Sequence, residues 1–337
     1  MPAAAPRAQA ASLAPMNDEL RFGALCWNQY TDWQSFLDAG RKADQLGYHS
    51  LWTWDHLYPI VGSESGPMFE GYMTLAAWAM ATKNVRLGLM VGANPYRNPA
   101  LVVKMVTALD HISGGRAYLG IGSAWDESEA RAFGIDMGES PGERLRWLRE
   151  ALPVMRGMLH GDAASASGPR YVMDGVRNDP PPVQEALPII VGGGGENVTL
   201  RLVARYADGC NIGYANGIDV FKRKEEALRR HCQEVGRDER EIERTMNVGP
   251  ILIRDSHEEA LRVLEATYAH NGNAETWAGR PASAQPTGSP EHVVEVLAPF
   301  VEVGYRHIVF GFPAPYDEET MTRLVTEVQP KLAAAVG

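Results

Sequence analysis

The sequence predicts a parallel α/β fold of the (β/α)8 barrel type, with insertions, and three observations carry that prediction. Eight short strand-like runs recur along the 337 residues, nearly all followed by an amphipathic helix, the pattern of parallel strands joined by helical crossovers. Their even spacing and the chain length suit a closed barrel better than a doubly wound sheet. The sheet alternative needs a glycine-rich first turn for a dinucleotide. Here the first strand runs into Cys26-Trp27-Asn28-Gln29-Tyr30, with no glycine.

Residues 1–19 are rich in Ala and Pro but never build the apolar run of a signal peptide; they read as a flexible extension, with Met16 an alternative natural start. Residues 20–337 read as one domain. Arg21–Cys26 is the first strand, and Thr31-Asp-Trp-Gln34 has the spacing of a capping box for the helix that follows. Trp33, Phe36, Leu37, Ala43 and Leu46 share one face of that helix, and Gly47 stands where a left-handed cap is wanted. The second strand is His49–Trp54, and a loop runs from Asp55 to Glu70. Gly71–Thr82 is a helix, Val85–Val91 a strand, Pro99–Ile112 a helix and Arg116–Ile121 the fourth strand.

Ser140-Pro-Gly-Glu143 opens a helix with proline at its first position, and Pro153 is expected to kink it. Residues 161–187 read as a long irregular excursion. The strand Leu187–Val191 leads into Gly192–Gly195 and a helix to Tyr206; a short strand near Asp208–Ile212 and a charged helix from Asp219 to Val235 follow. A strand from Thr245 to Ile253 precedes a helix capped by Ser256-His-Glu-Glu259. Residues 271–290 have loop composition and are expected to form a mobile lid or a disordered segment. The helix Glu291–Val303, the strand His307–Phe310 and the helix Asp317–Ala334 close the chain.

Bulk composition narrows the function. Apolar residues make up 45% and charged residues 22%, an ordinary globular balance. A net charge of −10 opposes nucleic acid and anionic lipid as partners. No apolar run approaches the roughly 18–20 residues that span a bilayer. Cys26, Cys210 and Cys232 are too scattered for a disulfide framework or a metal motif, which suits a reducing cytoplasm.

In a barrel, the residues just beyond each strand face one mouth. Here these are Trp27 and Asn28; Trp54, Asp55 and His56; Met90, Val91 and Asn94; Gly122–Trp125, including Ser123; Gly192–Gly195; and Phe312–Pro313. This mouth reads as aromatic, rich in glycine and poor in charge, with His56 its one good titratable group, and it suits a large, flat, partly apolar ligand. No His-x-His follows the first strand, no lysine lies on a strand, and no set of carboxylates recurs at strand ends. These absences argue against a barrel metallohydrolase, Schiff-base chemistry and an enolase-type magnesium site. No metal site is expected.

A lone histidine is more often structural than catalytic; what sets His56 apart is its strand-end position beside Asp55 among aromatics. Asp55 either caps the loop or pairs with His56 or a backbone N–H. Gly192–Gly195 opens a helix, where bare backbone and free N–H groups can approach an anion, although a plain tight turn has the same composition. It follows the fifth strand, whereas barrel phosphate sites commonly follow the seventh or eighth. Trp27, Trp54 and Trp125 could stack on a ring system or simply pack in the core. His111 and Arg116 read as structural, salt-bridged at the far end of the barrel.

The stretches SLWTWDHLYP, VRLGLMVGANPYRNPALVVKM, LDHISGGRAYLGIGSAWDESEARAFGI, LPIIVGGGGENVTLRLVARYADGCN and GYRHIVFGFPAP resemble, taken together, the bacterial luciferase-like superfamily of flavin- and deazaflavin-dependent oxidoreductases. The resemblance covers almost all of residues 20–334 and is nearest to the coenzyme F420-dependent branch. It implies a luciferase-like TIM barrel that transfers a hydride between reduced F420 and an organic substrate. The alternatives are an FMN-dependent monooxygenase using oxygen, supplied by a separate reductase, and a non-catalytic flavin-binding relative. It further implies that His56 is the active-site histidine over the ring and that a non-prolyl cis peptide at Met90–Val91, to within one residue, supports the ring. Gly193, Gly194 and Gly195 would hold the cofactor phosphate. Asp55, Asn94, Gly122 and Ser123 complete the implied cofactor set, Trp27, Trp54 and Trp125 line the substrate side, and a homodimer is implied.

Two departures narrow the chemistry. The sugar-phosphate dehydrogenase branch carries a Trp four residues after the histidine, where this chain has Ile60, and a Glu where this chain has Trp125. That acid–base pair is therefore expected to be missing. The luciferase-type second histidine is replaced by Leu57.

Overall fold

Parallel strands buried on both faces form a closed ring, and the helices between them cover its outside. The computed structural model describes residues 19–272, 276–277, 280–281 and 286–336. The strands are β1 (Arg21–Cys26), β2 (Ser50–Thr53), β3 (Arg86–Leu89), β4 (Gly92–Ala93), β5 (Leu119–Gly122), β6 (Ala164–Ser167), β7 (Val172–Val176), β8 (Ile189–Gly192), β9 (Gly209–Gly213), β10 (Glu243–Val248), β11 (Thr276–Trp277), β12 (Arg280–Pro281) and β13 (His307–Phe312). The main sheet runs β3-β2-β1-β13-β10-β9-β8-β5-β4, all its pairings parallel. β3 and β4 are one stave interrupted at Met90–Val91, and the seam closes where Leu87 N–H donates to the Arg116 carbonyl (2.9 Å) and Tyr118 N–H to the Leu87 carbonyl (2.7 Å). The result is the expected eight-stave barrel.

The helices are α1 (Trp33–Leu46), α2 (Gly71–Ala81), α3 (Pro99–Ser113), α4 (Glu127–Ala132), α5 (Pro141–Leu159), α6 (Thr199–Tyr206), α7 (Ile218–Val235), α8 (His257–His270), α9 (Pro290–Val303), α10 (Glu318–Arg323) and α11 (Gln329–Val336), the last two joined by a π turn. Short polar side chains start most of them, as free N–H groups at helix starts require. Ser140, Ser256, Ser289 and Asp317 each accept from a backbone N–H three residues on. The first cap is Asp32 rather than Thr31: its carboxylate takes the Ser35 N–H at 2.9 Å. Gly47 has the left-handed conformation expected (φ 82°). α5 runs as helix across Pro153.

Residues 161–187 are not irregular throughout, because β6 and β7 pair there as an antiparallel hairpin. α4 was not foreseen. The extension 1–18 lies outside the described residues, and so do 273–275, 278–279 and 282–285 of the expected lid at 271–290. Among the described residues no helix is long and apolar enough to cross a membrane.

Two apolar clusters result. The larger fills the layer between staves and helices; the smaller occupies the barrel interior, with Leu25, Trp52, Tyr118, Ile190 and Val309 fully or almost fully buried. Trp52 stacks on Tyr118 at 5.0 Å. The interior is thus packed solid below the mouth, as in other barrels, and any ligand must sit above it.

Candidate active site

A cavity of about 550 Å³ opens at the C-terminal ends of the staves. The end of β2 brings Trp54, Asp55 and His56 to it; the break between β3 and β4 brings Met90 and Val91; the end of β5 brings Gly122, Ser123 and Trp125; the end of β8 brings Gly193 and Gly194. Three expected residues lie elsewhere. Trp27 is buried behind Trp54, ring to ring at 4.7 Å. Asn94 is wholly buried with its amide donated to the Tyr171 hydroxyl (3.1 Å). Gly195 faces α6, where a Cβ would meet Thr199 Oγ1 at 2.9 Å. In each case packing of the loop behind the stave, which strand-end position does not encode, turns the residue away.

The mouth is not poor in charge. Asp55 Oδ2 accepts from the Ala93 N–H (2.8 Å) and from Arg97 (2.7 Å), whose other arm reaches Glu70 (2.8 Å). Of the alternatives open to Asp55, the structure takes the backbone N–H and adds an arginine; His56 is not its partner. Burial raises the Asp55 pKa despite the opposing pull of Arg97. This brace ties the end of β2 to β4.

His56 is not the lone titratable group expected. Its Nδ1 lies 2.6 Å from Oε1 of Glu129, a residue of α4 that is completely buried. The same carboxylate accepts from the Tyr96 hydroxyl (2.5 Å) and from the N–H groups of Leu57 (2.6 Å) and Tyr58 (3.0 Å). Burial opposes its charge, but the bonds from His56, Tyr96 and Leu57 outweigh that, and the Glu129 pKa lies below its usual value. The imidazole therefore does have a carboxylate partner, supplied from position 129 rather than 125. Trp125 lies edge-on to the imidazole at 5.2 Å.

Across the cavity the wall is backbone. The Met90–Val91 peptide is cis, at the position the resemblance implies. Val91 fills the space beside two glycines: a Cβ on Gly122 or Gly192 would meet its Cγ2 at 2.9 or 2.5 Å. Lys224 of α7 is the one lysine or arginine among the described lining residues, and it was missed because it lies on a helix far from any strand end. Its side chain is 9% exposed, and its Nζ lies 2.0 Å from where a Gly194 Cβ would be. Burial lowers its pKa, partly offset by Glu196. An ammonium beside bare glycine backbone, in a cavity of this volume, fits the phosphate end of a flavin-type cofactor.

A second cluster sits at the opposite end of the barrel. His49, Glu243 and His307 bring potential ligand atoms within 4.8 Å of one another. His307 Nδ1 is 2.9 Å from Glu243, its Nε2 is 2.7 Å from Ser50 Oγ, and Arg21 lies 3.5 Å from the same carboxylate. The arginine supplies positive charge where a cation would sit, so the cluster reads as structural. Arg116 and His111 are structural as expected, but neither forms a salt bridge among the described residues. Arg116 donates to the carbonyls of Ala79, Thr82, Val85 and Ser113, and His111 contacts the Pro181 carbonyl.

Residues 20–307 match the family described as luciferase-like monooxygenase. An F420-dependent glucose-6-phosphate dehydrogenase of Amycolatopsis mediterranei is 26% identical over 314 residues, 87% of this chain and 92% of that protein. An F420-dependent secondary alcohol dehydrogenase, solved with an F420–acetone adduct, superposes with a TM-score of 0.77 at 18% identity, over 93% of this chain and 99% of that one. The oxygenating constituent of a Baeyer–Villiger monooxygenase from Pseudomonas putida, solved with FMN, gives 0.69 at 19% identity, over 93% and 99%. At these identities the two structures attest the fold.

Proposed function

Because this chain belongs to the luciferase-like monooxygenase family, an enzyme family of redox chemistry, we propose that it is an F420-dependent oxidoreductase acting on a small, uncharged organic substrate. The observation that carries this reading is the division of one cavity into two chemically distinct walls. One presents a carboxylate-backed imidazole among aromatics; the other presents glycine backbone and an ammonium with no hydrogen-bond or ion-pair partner among the described residues. When bound, the reduced deazaflavin supplies a hydride.

The residues of the chain have separable tasks. Gly193, Gly194 and Lys224 would hold the anionic tail; Met90, Val91, Gly122 and Ser123 line the wall that would receive the ring; Asp55 fixes that wall through Ala93 and Arg97. His56 transfers or accepts a proton at the substrate, or holds it by a hydrogen bond. Trp54, Ile60 and Trp125 leave little on the substrate side to bind a charged group. Sugar-phosphate oxidation is not carried over, since Ile60 and Trp125 stand where that branch has Trp and Glu. A homodimer belongs to the same reading, and the apolar side chains exposed on α2 and α3 (Met73, Met80, Leu101 and Ile112) suit one.

The second reading is an FMN-dependent monooxygenase served by a separate reductase, which the FMN-bound neighbour favours. Fluorescence titration of the apo-protein with F420 and, separately, FMN decides between them. Tight F420 binding with weak FMN binding is expected; the reverse makes this an oxygen-using enzyme, and binding of neither removes the cofactor reading.

A further inference from the structure

The hydrogen bonds around Glu129 determine where the proton of His56 resides. Oε2 is occupied by two backbone donors, the Leu57 and Tyr58 N–H groups, which can only donate. Oε1 faces the Tyr96 hydroxyl at 2.5 Å and His56 Nδ1 at 2.6 Å. Burial and the neighbouring Glu129 raise the Tyr96 pKa, so the phenol keeps its proton and donates it. Glu129 itself is held below its usual pKa and has no proton to offer. The remaining donor in the 2.6 Å contact is the imidazole. No described residue bonds His56 Nε2; the rings of Trp54 and Trp125 lie 6.5 and 5.2 Å from the imidazole, and the Asp126 carboxylate comes within 4.8 Å of it without a hydrogen bond.

Resting on the reading of His56 as the proton-handling group of the cavity, we infer that Glu129 is a positioning residue that fixes His56 as the Nδ1–H tautomer, leaving Nε2 alone to meet the substrate. The neutral ring then presents a lone pair to the cavity, and the protonated ring presents an N–H. In both states the second nitrogen stays anchored. Because Leu57 and Tyr58 bond the same carboxylate, the loop after β2 and the helix α4 are tied together at the imidazole, which sets the ring's orientation as well as its tautomer.

The chemistry of the amide makes this testable without a substrate. In Glu129→Gln the two backbone N–H groups still require an oxygen at the Oε2 position, so the amide nitrogen is turned toward His56 and donates. The tautomer should therefore invert. Two-bond proton–nitrogen correlation spectra of histidine-labelled apo-protein at alkaline pH, where the ring is neutral, read this directly, with His56→Gln assigning the signals.

Wild type is expected to show a protonated Nδ1 and a bare Nε2, Tyr96→Phe the same, and Glu129→Gln the two nitrogens interchanged. A protonated Nε2 in wild type overturns the inference, as does an unchanged tautomer in Glu129→Gln. Should Glu129→Gln fail to fold, the wild-type and Tyr96→Phe spectra still decide whether Nδ1 carries the proton. The F420 and FMN titrations are independent: a protein that binds neither cofactor but shows Nδ1–H refutes the functional reading and leaves the tautomer assignment standing.

Discussion

Lys224→Met is expected to remove the charge that holds an anionic cofactor tail while keeping the side-chain stem. Lys224 is 9% exposed, so water screens it little, and its pKa is lowered by burial, a penalty on the charged form that the opposite charge of a bound anion would offset. A hydrogen bond to a charged partner contributes about 1.5–3 kcal/mol. Since about 1.4 kcal/mol is tenfold in affinity, the loss should be roughly 10- to 150-fold. Fluorescence titrations with F420, FMN and riboflavin provide the assay, riboflavin being the phosphate-free reference. F420 and FMN should weaken by that factor and riboflavin hardly at all. Gly194→Ala should act in the same direction: its Cβ would lie 2.0 Å from Nζ, the free end of a flexible side chain, so the lysine moves aside and the fold survives. Equal weakening of all three ligands by Lys224→Met, or unchanged F420 and FMN affinity, would refute the phosphate assignment.

His56→Ala should leave the thermal transition near wild type and lower turnover by roughly 10²–10⁴-fold, the range for a positioned acid or base; unchanged turnover in a folded variant would remove His56 from the mechanism. Gly120→Ala places a Cβ 1.9 Å from the Leu89 carbonyl oxygen, where backbone cannot yield cheaply. We expect a loss of about 2–5 kcal/mol in urea unfolding, and a loss below about 1 kcal/mol would mean that the seam between β3 and β5 is looser than described. Glu243 is buried, which opposes its charge, yet His307 and its other positive neighbours bring its pKa down to about 2 from the ordinary 4.5. Its stabilisation is complete above pH 4.5 and lost as pH falls toward 2, so unfolding midpoints should drop over that window and drop less in Glu243→Gln.

The fold was legible because each stave announces itself twice, by an apolar run and by the helix signal after it. Strand ends were legible for the same reason: His56, Met90, Val91, Gly122, Gly193 and Gly194 all reach the cavity. What the sequence hid is what arrives from helices. Glu129 and Lys224 lie on α4 and α7, and nothing in local periodicity says which helical residue looks over a barrel rim. A partial signal existed at α4. Asp126-Glu-Ser-Glu129 has capping spacing, and Asp126 does accept from the Ser128 and Glu129 N–H groups (2.9 and 3.4 Å). Read as a helix start, it would have aimed Glu129 back toward the end of β5. The misplacement of Trp27 and Asn94 has the opposite cause: both sit at strand ends, but their side chains pack behind the wall instead of through it.

Two imidazole–carboxylate pairs with a buried carboxylate occur among the described residues, and comparing them shows why one is chemistry and the other scaffold. His307 with Glu243 and His56 with Glu129 are nearly alike in length, 2.9 and 2.6 Å, and both carboxylates are buried. The difference lies at the second ring nitrogen. His307 Nε2 is bonded to Ser50 Oγ, which in turn accepts from the Trp52 indole at 2.7 Å, so every polar atom of that ring is committed inside the barrel. His56 Nε2 has no partner among the described residues, and its ring borders a cavity large enough for a ligand. An imidazole anchored at one nitrogen and open at the other can exchange a proton with a ligand without losing its orientation. One anchored at both can only hold the structure together. Introducing Ser50→Ala should therefore free a nitrogen at the closed end without creating reactivity, because the packed interior around Trp52 and Tyr118 admits no substrate there.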